Sequence, residues 1–381
     1  MKLRTLFLDQ GETLGGAERF LLDFFQSLNA SEIRQISPVV VGAKLPKYRK
    51  MLPKNIEVAE FPFPSVRGNF LVKISAMFRI LTAARRLKKM VKETGATQIF
   101  SNTPRTSFVM LIAKSVFRIP TTWVVMLHDF TIPKFLLRKI CAKANVIIVN
   151  SIATRQYVRE CIPARDQKKI KIVENGIDFQ KIPKAEPPKE IQKILILGRI
   201  DPRKGQLFAL EAADLLRERN PELKFFVVGA TFSGDPATIK YERKIKKFAA
   251  DRKLNNVYFL PEVADPFETF ISADMVLILP TEPETFGRIA IEALAVGKLT
   301  IAFDQTGPRE ILKAFAKFCG KPESSLLAEK ENPMSLAEKI GFFADHPTFA
   351  EPFTTRARAF VEKHYPLTET KKRLLDILLE K

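Results

Sequence analysis

Two glutamates eight residues apart, Glu284 and Glu292, lie in the segment Thr281-Glu-Pro-Glu-Thr-Phe-Gly-Arg-Ile-Ala-Ile-Glu-Ala-Leu-Ala-Val-Gly297. The run Met275-Val-Leu-Ile-Leu-Pro280 before it reads as a buried strand stopped by proline. Thr285 to Val296 reads as a helix ended by Gly297. Glu284 is then expected at the mouth of the strand–helix turn, with Glu292 about two turns into the helix. A helix N-terminus favours anions, so this turn can take a phosphate while two carboxylates grip hydroxyls. Hydroxyls beside a phosphate suggest a nucleotide sugar.

Three further groups have the residue types for that chemistry. In Leu197-Gly-Arg-Ile-Asp-Pro-Arg-Lys-Gly205, Arg199 and Lys204 follow a strand, and two cations near a helix N-terminus suit a diphosphate. In Leu14-Gly-Gly-Ala-Glu18, Gly15 and Gly16 allow close backbone approach to a ligand. His128 ends the apolar strand Trp123-Val-Val-Met-Leu, and Asp129 beside it is placed to orient its ring.

Strand and helix candidates alternate along the chain. In the first half the strand candidates are 3–9, 38–42, 98–102, 122–127 and 146–150. The helix candidates are 17–28, 70–93, 106–117 and 152–161. Lys181-Ile-Pro-Lys-Ala-Glu-Pro-Pro-Lys-Glu190 reads as a linker. Strands then resume at 194–197, 225–228, 257–260, 275–279 and 300–303, with helices at 206–219, 238–250, 267–273 and 285–296. Such alternation implies two α/β domains with parallel sheets covered on both faces, ligands binding at the strand ends that face the cleft between them. The expected boundaries are 1–180, a linker 181–192, 193–365, and a last helix 366–381.

The 284–292 segment resembles the Glu-x7-Glu signature of the family 4 retaining glycosyltransferases. The Gly-Arg…Lys-Gly pattern at 198–205, the glycine loop at 15–16, and Glu174-Asn-Gly-Ile-Asp178 are similar to further motifs of that family, in the same order. The resemblance implies the GT-B fold, with two Rossmann-like domains and a C-terminal helix that packs back on the first. It also implies retaining, metal-independent transfer from a nucleotide-sugar donor, such as a UDP- or GDP-sugar, to a glycan or lipid-linked acceptor. The expected catalytic residues are His128, Glu284, Arg199 and Lys204. Donor contacts are expected from Gly15, Gly16, Arg199, Lys204, Glu284, Thr285, Phe286, Gly287, Arg288 and Glu292, with Glu292 on the ribose. The chain departs from the family pattern at Thr306, where a glycine is common, at Lys298-Leu299, and at Arg288, a bulky charge where small or apolar residues are frequent.

Charge and composition narrow the partners. The net charge of the 381 residues is +20. Residues 1–185 hold 32 lysines and arginines against 13 acidic residues, and the remainder holds 30 against 29. Arg85, Arg86, Lys88, Lys89 and Lys92 fall in one arc of a helix, which suits an anionic membrane surface. No nucleic-acid-binding module accompanies the charge, so no nucleic-acid partner is expected. No Asp-x-Asp, zinc spacing or phosphate-binding P-loop occurs, so no metal and no cofactor is expected. The three cysteines show no disulfide framework, the N-terminus lacks the apolar run of a signal peptide, and no stretch is long enough to span a bilayer. The expected location is cytoplasmic, peripheral on the inner face of the membrane, in surface polysaccharide or glycolipid synthesis. The alternatives are a catalytically silent sugar-nucleotide-binding protein and a nucleotide-sugar epimerase of the same fold.

Overall fold

A computed structural model describes residues 3–11, 15–42, 46–64, 70–231, 235–263 and 265–380. The chain divides into two compact units, Met1–Gly176 with Leu367–Lys381, and Ile177–Pro366.

Among the described residues, the first unit has strands β1 (Thr5–Asp9), β2 (Pro38–Gly42), β3 (Glu57–Ala59), β4 (Gln98–Ser101), β5 (Thr122–Leu127), β6 (Val146–Val149) and β7 (Ile170–Ile172). They pair in the order β3-β2-β1-β4-β5-β6-β7, every pair parallel. The second unit has β8 (Lys193–Leu197), β9 (Lys224–Val228), β10 (Val257–Leu260), β11 (Met275–Ile278), β12 (Leu299–Phe303) and β13 (Leu327–Ala328). Their order is β10-β9-β8-β11-β12-β13, again all parallel. These are two Rossmann-like sheets. In each, the strand order reverses once, between β1 and β4 and between β8 and β11. Such a switch point opens a crevice at the carboxyl ends of the strands.

Central strands are buried on both faces, which is why Leu6–Leu8, Val39–Val41 and Leu299–Phe303 are near-continuous apolar runs. Several helices begin earlier than apolar periodicity indicates, because proline opens them. Pro236, Pro266 and Pro333 each sit just inside a helix whose Asp235, Asp265 or Asn332 side chain accepts a free backbone N–H. The edge strands β3, β7 and β13 are two or three residues long, and so short a run leaves no periodic signal. Residues 181–192 are packed rather than free. Ile182, Ala185 and Ile191 join the core of the second unit, and Arg358 donates to the carbonyls of Phe179 and Ile182.

The last helix, Leu367–Leu379, belongs to the first unit. Leu374, Leu375, Ile377 and Leu378 share a cluster with Phe7, Phe24, Phe25 and Phe100. Gln98 Nε2 donates to the Leu378 carbonyl at 3.2 Å, and Lys371 pairs with Glu32 at 3.0 Å. Among the described residues, no helix is long and apolar enough to cross a membrane.

Gly176 is where the start of this helix approaches most closely. A Cβ there would stand 2.4 Å from Thr370 Oγ1 and 2.6 Å from Leu367 Cα. Gly176→Ala is therefore expected to loosen the helix. Hydrogen exchange over residues 367–379 should accelerate, with a stability loss on the order of 1–3 kcal/mol; unchanged protection would contradict this packing.

Candidate functional site

In the second unit the loops after β8 and β11 flank the switch point, and they carry the residues singled out by type and spacing. The first loop passes through a short turn at Pro202–Lys204 and enters the helix Gln206–Leu216. Asp201, almost fully buried, accepts from the backbone N–H of Arg203 at 3.0 Å and from its guanidinium at 2.5 to 3.2 Å. Arg199 stands 3.8 Å from the same carboxylate. Burial pushes the Asp201 carboxyl up, but the hydrogen bonds from Arg203 and the charges of Arg203 and Arg199 outweigh it and leave it below the ordinary range. Arg203, to which no motif assigns a role, thus neutralises Asp201 and fixes the turn.

The second loop runs to the helix Arg288–Val296. This helix starts three residues later than the Thr285 expected from spacing. Gly287 is its N-cap at φ +89°, a left-handed geometry that favours glycine and cannot be part of the helix. Glu292 is accordingly little more than one turn in. Lys204 Nζ bonds Glu284 Oε2 at 2.8 Å, joining the two loops, and Thr281 N–H donates to the Arg203 carbonyl at 3.0 Å. Lys204, Glu284, Gln206, Leu279 and Ile289 line a small depression there.

Thr306 shows how this chain departs from the family pattern. It stands at φ +37°, a left-handed conformation in which glycine is unstrained. Its hydroxyl accepts the Glu284 N–H at 2.9 Å, and the Gly307 N–H donates to the Glu284 carbonyl at 2.9 Å. A Cβ on Gly307 would stand 2.5 Å from the Phe286 oxygen, so the loop after β11 meets the first turn of the helix Thr306–Phe318 backbone to backbone. The Phe286 ring is buried against Tyr365, centroids 5.7 Å apart. What Phe286 can offer a ligand is its main chain. Thr285 is also buried. Arg288 donates from Nε to Glu292 Oε1 at 2.6 Å, both side chains being under one-fifth exposed. The expected ribose carboxylate is therefore held by a guanidinium one turn before it. Among the described residues, no three carboxylate, thiol or imidazole groups gather as metal ligands would.

The first unit places Gly15, Gly16 and His128 at the carboxyl edge of its own sheet. Gly15 is the N-cap of the helix Gly16–Ser27, and its N–H donates to Glu18 Oε2 at 3.0 Å. A Cβ on Gly16 would meet nothing within 4 Å. Leu14 of this motif lies outside the described residues. His128 Nε2 lies 2.8 Å from Asn102 Oδ1, and Phe20 packs edge-on against the ring. Asp129 does not orient this ring as expected: its Oδ1 accepts instead from the Thr131 N–H and hydroxyl at 2.9 and 2.6 Å. Asn102 also bonds Asp9, a buried carboxylate. Neither Asn102 nor Asp9 has a motif of its own. Their position at strand ends is the one signal that could have found them. Burial pushes the His128 imidazole well below its ordinary value and lifts the Asp9 carboxyl to about 6, against the hydrogen bonds of Tyr48, Gly11 and Asn102.

Comparison with known proteins identifies the family and the fold. Residues 178–360 match the family described as Glycosyl transferases group 1, and residues 14–181 match Glycosyltransferase Family 4. The crystal structure of Anabaena HepE in complex with UDP and glucose superposes with a TM-score of 0.80 at 21% identity, covering 100% of both chains. The chain belongs to the family 4 glycosyltransferases, with the two-domain fold called GT-B. Among curated relatives, a D-inositol 3-phosphate glycosyltransferase of Streptomyces scabiei is 25% identical over 52% of this chain and 46% of its own length. A phosphatidyl-myo-inositol mannosyltransferase of Mycobacterium tuberculosis is 29% identical over 37% and 36%. The chain thus spans less than half the length of these relatives.

Asp9 and His128 give opposite pH dependences. Asp9, raised from 3.8 to about 6, favours the folded state fully below pH 3.8, and that contribution is lost as pH rises through 6. His128, lowered from 6.5, favours it above that pH and loses the contribution as pH falls. Asp9→Asn removes the first effect. Its stability relative to the wild type should rise between pH 4 and 7, by up to roughly 3 kcal/mol. Denaturant unfolding at several pH values measures this, and a pH-independent difference would contradict it.

Proposed function

We propose that this protein is a retaining, metal-independent glycosyltransferase that moves a hexose from a UDP- or GDP-sugar to a hydroxyl of a glycan or lipid-linked acceptor. The observation that carries this reading is the arrangement at the second switch point. Arg199 and Lys204 leave one loop, Glu284 leaves the facing one and Glu292 the helix that follows it, and all four fall within the matched group 1 region. A neighbour of the same fold solved with UDP and glucose supports a nucleotide-sugar donor.

In this reading Arg199 and Lys204 bind the diphosphate, with backbone N–H groups near Phe286 and Gly287 assisting. Glu284 accepts from sugar hydroxyls. Glu292 accepts from the ribose, and its ion pair with Arg288 is shared with those hydroxyls. The acceptor hydroxyl attacks the anomeric carbon on the face from which the diphosphate leaves. The sugar–phosphate C–O bond breaks with its electron pair going to the phosphate oxygen, and that oxygen takes the hydroxyl proton. Arg199 and Lys204 stabilise the developing charge. His128 contacts the donor sugar, and Gly15 and Gly16 approach it closely. The open space around a Cβ on Gly16 supports this, since the fold itself does not require glycine there.

The first unit supports a membrane-bound acceptor. On the helix Phe70–Thr94, Arg85, Arg86, Lys88, Lys89 and Lys92 are exposed, while Ala83, Ala84, Leu87 and Val91 are buried. Phe78 on the same helix and Phe135 on Lys134–Lys143 are about two-thirds exposed. Basic side chains with exposed aromatics suit the inner, anionic face of a cell membrane.

Lys204→Ala is expected to weaken nucleoside diphosphate binding by about 1.5–3 kcal/mol, the worth of a charged hydrogen bond, and to leave nucleoside binding nearly unchanged. Thermal unfolding with UDP, GDP and their nucleosides measures this, and equal losses would remove the diphosphate assignment. Binding without turnover under any acceptor would favour the silent alternative, and turnover that needs no acceptor would favour the epimerase. Reversing the charges of Arg85, Arg86, Lys88 and Lys89 should release the protein from vesicles containing phosphatidylserine; persistent sedimentation with them would exclude this helix as the contact.

A further inference from the structure

We propose that Asp9 and Asn102 are positioning residues for His128, holding its imidazole with the hydrogen on Nε2, directed into the protein, and no proton on Nδ1. This deepens the transferase reading of the same edge and rests on it only for the role of His128 in turnover. Asp9 closes β1, Asn102 follows β4 and His128 follows β5, three adjacent parallel strands whose ends meet at one edge.

The direction of each hydrogen bond follows from its partners. Asn102 Nδ2 lies 3.3 Å from Asp9 Oδ2 and 3.0 Å from the Ala17 carbonyl, and both can only accept from it when the carboxylate is ionised. Turning the amide over would set its oxygen against two other oxygens. Asn102 Oδ1 must therefore face His128 Nε2 at 2.8 Å, and that nitrogen must donate. Asp9 is fixed in turn by the Tyr48 hydroxyl at 3.0 Å and the Gly11 N–H at 3.2 Å. The titratable neighbours are Tyr48 and Glu18, from the two helices packed near Asp9, and Asp129 beside the imidazole. A fully buried carboxylate is costly. Here it sets the direction of the Asn102 amide and so the tautomer of the ring. Without a proton, Nδ1 can accept a hydrogen bond but cannot donate one.

The chain has only three histidines, so 15N-histidine labelling gives a readable spectrum. In the wild type, one ring should hold the Nε2–H tautomer above pH 6, where Asp9 is ionised, and should not titrate between pH 5 and 8. Asn102→Leu should average its two ring nitrogens and lower nucleoside diphosphate release from donor sugar about tenfold, leaving nucleotide affinity unchanged. Asp9→Asn should do so more weakly, and serves if the leucine variant does not fold. A wild-type His128 bearing hydrogen on Nδ1, or variants that leave the ring unaltered, would overturn the proposal. The ring spectrum is read without turnover, so it stands or falls separately from the transferase reading.

Discussion

Parallel pairing of the strands governs where every functional group of this protein ends up. In both sheets each pair is parallel, so each strand's carboxyl end arrives at the same edge. Residues far apart in sequence meet there as a consequence of the pairing alone. The strand order then reverses once in each sheet. At that reversal the loops on either side diverge and leave a crevice. Lys204 and Glu284, 80 residues apart, meet across it in the second unit, and Asp9 and Asn102 meet across its counterpart in the first.

Loop conformation at the second crevice is secured by backbone contact. Gly307 lies against the Phe286 main chain, and Glu284 is bonded through both its N–H and its carbonyl to residues 306 and 307. Such contacts hold a loop more firmly than exposed ion pairs, which contribute little on their own. They place Glu284 independently of its pairing with Lys204, so that pairing can yield to a ligand without loss of the loop.

The charges at the two edges are handled differently. In the second unit Arg199, Lys204 and Arg288 each have a carboxylate in reach, and the groups keep partial access to water. In the first unit a buried carboxylate and a neutral imidazole are linked through an amide. The first arrangement suits binding of a charged group, and the second suits fixed orientation of an uncharged one.

Much of this was legible in the residue order. The two-fold α/β alternation, the loops that carry Arg199, Lys204 and Glu284, the helix that carries Glu292, and the basic arc at residues 85–92 all follow from apolar runs, proline and glycine stops, and helical spacing. Those signals are local, and they survive whatever the packing does. The choice of partners was not legible. Arg288 holding Glu292 across one helical turn competes with every other carboxylate that folding brings near. Thr306 holding Glu284 in a left-handed turn, and Asn102 rather than Asp129 holding His128, depend on loops brought together by the sheet. So does the packing of residues 181–192 into the second core, which their proline-rich composition disguises. The left-handed Gly287 that delays the helix to Arg288 faces Pro308, which would stand 2.8 Å from any Cβ placed there. Hydrogen-bond partners across a switch point are separated by tens of residues, and no periodicity in the chain records them.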